Sequence, residues 1–163
     1  ASAEEIYPIL ARGGTLVLRD DAMLASPREF FARCREWGLT VLDLPTAYWH
    51  ELTAGLEDES VEVPADLRLV ILGGERALAE PVERFLGSVG SETRLVNSYG
   101  PTEATVVTTA ATLSREASAL GLVPIGRPLA NYRVHLLDPG MWPVPVGVGG
   151  GLYIGGDGLA RGY

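Results

Sequence analysis

The sequence predicts an α/β fold: a parallel sheet flanked by helices, followed by the start of a β-rich segment. Three observations carry that expectation. Short apolar runs of strand character alternate with stretches of helical spacing through the first two thirds of the chain. One of those runs, Leu39–Leu44, is almost entirely apolar, as a strand covered on both faces would be. After Thr108 the texture changes: glycine and proline become dense, and the apolar period becomes that of a β-strand. Strands separated by helices imply right-handed crossovers, and hence a mostly parallel sheet.

Taken in order, Thr15–Leu18 reads as a first strand. Ser26-Pro27-Arg28-Glu29 is a capping box with proline at the first helical position. The helix it opens carries Phe30, Phe31, Cys34 and Trp37 on one face, and Gly38 ends it. Leu39–Leu44 is the second strand, and Pro45 starts a helical stretch through Tyr48, Trp49 and Leu52. The acidic run Glu57-Asp58-Glu59 reads as a solvated loop. Leu67–Leu72 is a third strand, Val82–Leu86 lies on the next helix, and Arg94–Asn97 is a fourth strand. Further on, Tyr132–Leu137 alternates in a β manner, Met141–Gly151 is turn-rich, and Leu152–Ile154 can pair back as a hairpin. A boundary within residues 112–122 divides an α/β unit, 1–115, from a β-rich segment, 116–163.

The 163 residues can bury a core and fit one domain. Apolar residues make up 47% and charged residues 21%, the balance of a globular protein. The net charge of −8 argues against a nucleic-acid partner, because phosphate backbones select a basic face. A lone cysteine, Cys34, permits no internal disulfide and points to the cytoplasm. No apolar run approaches membrane-spanning length, the first residues do not read as a signal peptide, and no membrane partner is expected.

In open parallel sheets, ligands sit beyond the carboxyl ends of the strands. Asp43, Gly73-Gly74 and Ser98-Tyr99 all fall there. Burying the Asp43 carboxylate among Val41, Leu42 and Leu44 costs several kcal/mol unless it finds a partner. It is either a cap on the backbone of the following helix or the countercharge of a cationic ligand. Gly73-Gly74 is either a tight strand-to-helix turn or a place where a ligand approaches the backbone closely. His50 and His135 lack metal-ligand spacing, and Cys34 shares an apolar helix face with aromatics. Neither a Ser-His-Asp nor a Cys-His constellation is present.

The most informative segment is Asn97-Ser98-Tyr99-Gly100-Pro101-Thr102-Glu103. Gly100 and Pro101 force a sharp turn after a strand, leaving Thr102 and Glu103 to project from a loop. A carboxylate and a hydroxyl there suit a hard cation and a phosphate oxygen, and Tyr99 offers a flat face for a nucleobase. The segment resembles the N-x-Y-G-P-T-E motif of adenylate-forming enzymes, in particular the amino-acid adenylation domains of nonribosomal peptide synthetases. Leu152-Tyr153-Ile154-Gly155-Gly156-Asp157-Gly158-Leu159-Ala160-Arg161-Gly162-Tyr163 is similar to that family's G-E-L-x-I-x-G-x-G-x-A-R-G-Y motif, with Gly151 where the family has Glu. Leu69-Val70-Ile71-Leu72-Gly73-Gly74-Glu75 resembles its strand-and-glycine step. The three motifs stand in family order, and the resemblance runs along the whole chain.

The resemblance implies a flavodoxin-like subdomain followed by the start of a barrel-like one. It implies ATP and Mg²⁺ as cofactors. Tyr99 would stack on adenine, with Gly74, Asn97, Ser98 and Gly100 around it. Thr102 would contact phosphate and Glu103 would hold the metal. The substrate pocket would be formed by Ala1, Glu4, Asp43, Ile71, Gly73, Ser98, Val106 and Val107. The places of Ala1 and Glu4 rest on Glu5-Ile6 and Gly13-Gly14-Thr15-Leu16, which resemble the family's E-I-x-x-x-L-x-x-G-x-x-L stretch. Two carboxylates in one pocket repel unless a cation sits between them, so a basic amino acid, lysine or ornithine, is the expected substrate. The implied reaction converts amino acid and Mg-ATP to aminoacyl-adenylate, for transfer to the phosphopantetheine thiol of a peptidyl carrier domain. The family's phosphate loop is not found here. The resemblance puts the α-amino-binding Asp before Ala1 and the ribose-binding Asp and catalytic Lys after Tyr163. The chain therefore reads as an internal fragment, inactive alone, whose partners include the remainder of the adenylation domain. Two rivals stand beside this reading: an acyl-CoA or aryl-acid synthetase fragment, and a non-catalytic excised specificity subdomain.

Overall fold

A computed structural model describes residues 2–162, with Ser2 described by its backbone alone. Helix α1 spans Ser2–Ala11, and α2 spans Pro27–Glu36. Strand β1, Val41–Pro45, runs directly into α3, Thr46–Ala54. Then come β2, Leu69–Gly73, α4, Ala79–Ser88, and β3, Arg94–Tyr99. A loop with one 3-10 turn leads to β4, Thr109–Thr112, and α5, Arg115–Ala119. Strand β5 is the short Arg127–Pro128. Strands β6, Tyr132–Leu137, and β7, Gly151–Gly156, form a separate two-stranded antiparallel ribbon.

The main sheet has the order β1-β2-β3-β4-β5. Strands β1, β2 and β3 are parallel, and β4 and β5 are antiparallel to their neighbours. The sheet is thus mixed, where the alternation pattern predicts a mostly parallel one. The cause lies in connection length. A parallel return needs a crossover of a dozen residues or more, and residues 100–108 are too few. The loop therefore folds straight back, with the Thr108 N–H donating to the Tyr99 carbonyl at 2.8 Å.

Sequence signals and elements agree most closely at α2. The Ser26 hydroxyl accepts from the Glu29 N–H at 3.2 Å, Pro27 stands at the first helical position, and Gly38 follows at φ +60. Arg33 reinforces the helix by bonding Glu29 and Glu36, at 3.1 and 2.8 Å. The predicted strand at Thr15–Leu18 does not form. Those residues are largely exposed and pair with no strand among the described residues. Extended propensity without a ladder partner does not make a strand.

The period of two along β1–β3 divides the sheet into two faces. Leu42, Val70, Leu72 and Leu95 pack against Phe30, Phe31 and Cys34 of α2, Trp49 and Leu52 of α3, and Val82 and Phe85 of α4. The rings of Trp49 and Phe85 meet edge to face at 5.8 Å. Each large side chain buried in this way stabilises the fold by about 2 kcal/mol. The opposite face carries Asp43, Ile71 and Val96, paired in register and only half-buried. The expectation of a β1 strand covered on both faces is thus met on one face, because α2, α3 and α4 all pack on the side of Leu42, Val70 and Leu95.

Of the two histidines, His50 accepts the Leu78 N–H at 3.3 Å at the start of α4, and His135 is exposed on β6. Cys34 is fully buried, and burial raises its thiol pKa to about 12. Glu57, Asp58 and Glu59 are exposed as the acidic run predicts, although Glu57 joins Glu80 in pairing with Arg84. The ribbon is far less covered than the core. Trp142, at its turn, is 73% exposed, whereas Trp49 is 1% exposed.

Candidate functional site

The carboxyl ends of β1, β2 and β3 lie side by side, and short-range bonds fix them there. Gly73 closes β2. A Cβ at that position would stand 2.7 Å from the Ser98 hydroxyl oxygen of the neighbouring strand. The Ser98 hydroxyl donates to the Leu72 carbonyl at 2.9 Å, and the buried Thr46 hydroxyl donates to the Gly73 carbonyl at 3.1 Å. Gly74 follows at φ +88 with open space where a side chain would be. It turns the chain and leaves the backbone open to approach. Thr46 gives no sequence signal, because its partner is 27 residues away.

Tyr99 ends β3 with its side chain 38% exposed. Two residues earlier, Asn97 is buried, and its amide donates to the Pro124 carbonyl at 2.9 Å. Gly100 accommodates the return of the chain, since a Cβ there would lie 2.6 Å from the Val106 carbonyl oxygen. The 3-10 turn Thr102–Ala104 presents Thr102 and Glu103 at the surface. Thr105 and Val106 then adopt φ +50 and +69, and the Val107 N–H donates to the Thr105 carbonyl at 2.9 Å. This is a tight turn centred on a β-branched residue at positive φ. Such a backbone costs about 1–3 kcal/mol and persists only where its surroundings hold it.

Two carboxylates flank this region. Asp43, half-buried on the open sheet face, lies in register with Ile71. Its Oδ2 is buried and has no hydrogen-bond partner among the described residues. The helix that follows β1 has no side-chain cap, so Asp43 does not serve as one. Burial raises the Asp43 pKa to about 7, with Glu4 and Glu5 of α1 raising it further. Glu4 is itself raised, by burial first and by Glu5 second. Glu4 also lines an open cavity of about 370 Å³ together with Pro8, Val106, Val107 and Leu129. Asp43 does not line that cavity; its link to Glu4 is electrostatic.

The structure thus gathers Gly73, Gly74, Ser98, Tyr99 and Asp43 at the strand ends, and Glu4, Val106 and Val107 at the adjoining cavity. The Asn97 amide is bonded to the Pro124 carbonyl, and Ala1 lies outside the described residues. Sequence reasoning missed a further set of contacts. The Tyr132 hydroxyl of β6 donates to the Ala104 carbonyl at 2.8 Å. The Thr105 hydroxyl donates to the Gly158 carbonyl at 2.5 Å, and the Ala160 N–H donates to the Glu103 carbonyl at 2.7 Å. The two motifs are bonded to each other, Ala160 to Glu103 across 57 positions of sequence.

An exposed aromatic face, an open glycine backbone and one projecting carboxylate suit a nucleotide carrying a hard cation. Among the described residues no three His, Cys, Asp or Glu side chains cluster as a metal site. A metal held mainly by phosphate oxygens plus Glu103 fits the behaviour of Mg²⁺, which uses few protein carboxylates.

Comparison with known protein families matches residues 1–163 to the AMP-binding family, described as AMP-binding enzyme. The chain belongs to that family. An isonitrile lipopeptide synthase of Streptomyces coeruleorubidus is 44% identical to this AMP-binding chain over 162 residues, 99% of the chain and 10% of that protein. A four-domain nonribosomal peptide synthetase, solved bound to AMP and glycine, superposes with a TM-score of 0.77 at 34% identity. That match covers 93% of this chain and 11% of the other. A nonribosomal peptide synthetase protein containing adenylation and PCP domains superposes at 0.82 and 28% identity, over 94% of this chain and 30% of its own. The AMP-binding chain thus spans about a tenth to a third of the length of these relatives.

Proposed function

We propose that this chain is the part of a nonribosomal peptide synthetase adenylation domain that selects an amino acid. The complete domain activates that amino acid with Mg-ATP to an aminoacyl-adenylate and passes the acyl group to a carrier-protein thiol. The membership in the AMP-binding family and the synthetase relatives support the reaction class. In this reading Tyr99 stacks on the adenine and the open backbone at Gly74 lies along its edge. Thr102 would contact phosphate, and Glu103 would hold Mg²⁺. The metal neutralises charge on the phosphates, and the chain's own work is positioning. The thiol that receives the acyl group belongs to phosphopantetheine on a separate carrier domain.

The observation that carries the substrate is Asp43. A buried carboxylate oxygen without a partner costs about 1–3 kcal/mol, and more when charged. A cationic side chain removes that cost, and Glu4 raises the local demand for positive charge. We therefore infer a basic amino acid, lysine first and ornithine second. An acyl-CoA or aryl-acid synthetase would bring no cation to Asp43. A non-catalytic specificity unit describes the isolated chain, which holds a pocket and lacks a phosphate loop.

The test is amino-acid-dependent ATP–pyrophosphate exchange by the complete adenylation domain, across the proteinogenic amino acids and ornithine. Lysine or ornithine is expected at the top, with glutamine reduced at least tenfold. A neutral or acidic amino acid at the top overturns the substrate assignment.

A further inference from the structure

The strained turn Thr105-Val106-Val107 sits between two groups the function needs. Glu103 lies two residues before it, and Val106 and Val107 line the cavity beside Glu4. Nothing within the turn explains its stability. Its one internal bond, Val107 N–H to Thr105 carbonyl, closes a three-residue ring around a β-branched residue at φ +69. The support comes from the β6–β7 ribbon and the segment that follows β7. The Tyr132 hydroxyl holds the Ala104 carbonyl, the Gly158 carbonyl holds the Thr105 hydroxyl, and the Ala160 N–H holds the Glu103 carbonyl. Three successive loop residues, 103 to 105, are thus each tied to the ribbon or to the segment that leaves it.

The fit leaves no slack. A Cβ on Gly158 would overlap the Tyr132 hydroxyl, and one on Gly156, at φ +129, would overlap the Asn131 carbonyl. The glycines of the second motif allow the ribbon to close around Tyr132. The Asp157 N–H donates to the Asn131 carbonyl at 3.1 Å and completes the closure.

We propose that Tyr132 is a positioning residue: through Ala104 it sets the loop that carries Glu103 on one side and the pocket residues Val106 and Val107 on the other. The ribbon thereby couples the metal site to the amino-acid pocket. This inference rests on the reading of Glu103 as the residue that holds Mg²⁺. A residue that merely supported the fold would lower stability and leave the kinetics of the folded enzyme unchanged.

The experiment uses the complete adenylation domain. Pyrophosphate exchange is measured against Mg²⁺ concentration and against amino-acid concentration, together with the melting temperature. Tyr132→Phe is expected to raise the Mg²⁺ half-saturation about three- to tenfold and to raise the amino-acid KM in parallel. Glu103→Gln alone should raise the Mg²⁺ half-saturation, and adding Tyr132→Phe to it should raise that value no further. Unchanged Mg²⁺ and amino-acid dependence in Tyr132→Phe, with Glu103→Gln impaired, overturns the positioning role and leaves the metal reading intact. An unaffected Glu103→Gln variant overturns the metal reading itself. Should Tyr132→Phe fail to fold, Thr105→Val and Thr105→Ser read the same coupling. The valine loses the bond to Gly158 and should show the two shifts, and the serine keeps it and should restore wild-type values. Wild-type Mg²⁺ dependence in Thr105→Val then overturns the proposal.

Discussion

Asp43 shows how one side chain can oppose folding and still be retained by a site. Its pKa rises from the ordinary carboxylate value to about 7, chiefly because the carboxyl is buried and secondly because Glu4 is near. Below the unfolded-state value the group is protonated in both states and costs nothing. Between that value and pH 7 the folded chain holds the proton more tightly, so stability falls as pH rises. Above pH 7 the full cost of the buried charge is present. Asp43→Asn should therefore stabilise the chain by about 1–2 kcal/mol at pH 8, after allowance for partial exposure, and by nothing near pH 3. Urea denaturation at the two values checks this, and a variant less stable than its parent at pH 8 contradicts it. In the proposed reading, binding of a basic amino acid uses the ionised form, so kcat/KM of the complete domain for lysine should rise between pH 6 and pH 8. In Asp43→Asn that rise should flatten and the preference for lysine over glutamine should narrow. The sequence exposed this residue because a lone acid interrupts an apolar run. Thr46 and Tyr132, whose partners lie 27 and 28 residues away, left no comparable mark.

At the scale of elements, local signals were legible and pairings were not. The cap and stop of α2, the apolar runs of β1, β2 and β3, and the hairpin of β6 with β7 could all be read from periodicity and turn residues. Thr15–Leu18 misled because strand propensity does not reveal whether a neighbouring strand exists. The antiparallel placement of β4 and β5 depends on how the 100–108 loop returns, a matter of geometry. The strand ends were legible as neighbours in space, yet Asn97 faces the helices and Ser98 the opposite side, which the period of two assigns only once the sheet's faces are known. The pairing of β4 with β5 makes its own demand. Gly126, at φ +84, stands where a Cβ would overlap the Ala110 carbonyl. Its neighbours include the Thr109 hydroxyl, which donates to the Ile125 carbonyl at 2.6 Å. Gly126→Ala combines backbone strain with a clash against a strand, and should destabilise the chain by about 2–4 kcal/mol. Gly87→Ala is the control: it has open space within α4 and should be neutral or stabilising. Equal melting temperatures for the two variants would contradict the argument.

At the scale of the molecule, the core and the ribbon differ in kind. The core is built from three helices on one sheet face, whereas the ribbon has two strands and exposes Leu136, Met141, Trp142 and Tyr153. A two-stranded hairpin is marginal by itself, so its order depends on the bonds to residues 103–105. The chain contains no lysine, all 13 of its cationic side chains being arginine, and it has no glycine-rich phosphate loop. The isolated chain should accordingly show no amino-acid-dependent pyrophosphate exchange, and exchange above a denatured control would contradict this. No helix of the described residues is long and apolar enough to cross a membrane. The contrast between core and ribbon also gives two of the molecule's three tryptophans opposite optical signatures, the third, Trp37, packing against the core. Trp49 is sealed among apolar side chains, and its indole N–H has no partner among the described residues; its emission should be blue-shifted and inaccessible to acrylamide. Trp142 stands in water on the ribbon turn; its emission should be red-shifted and strongly quenched. With Trp142 replaced by Phe, the remaining fluorescence reports mainly on the core. The difference between parent and variant then isolates the ribbon, so that its melting can be followed separately within one heating curve.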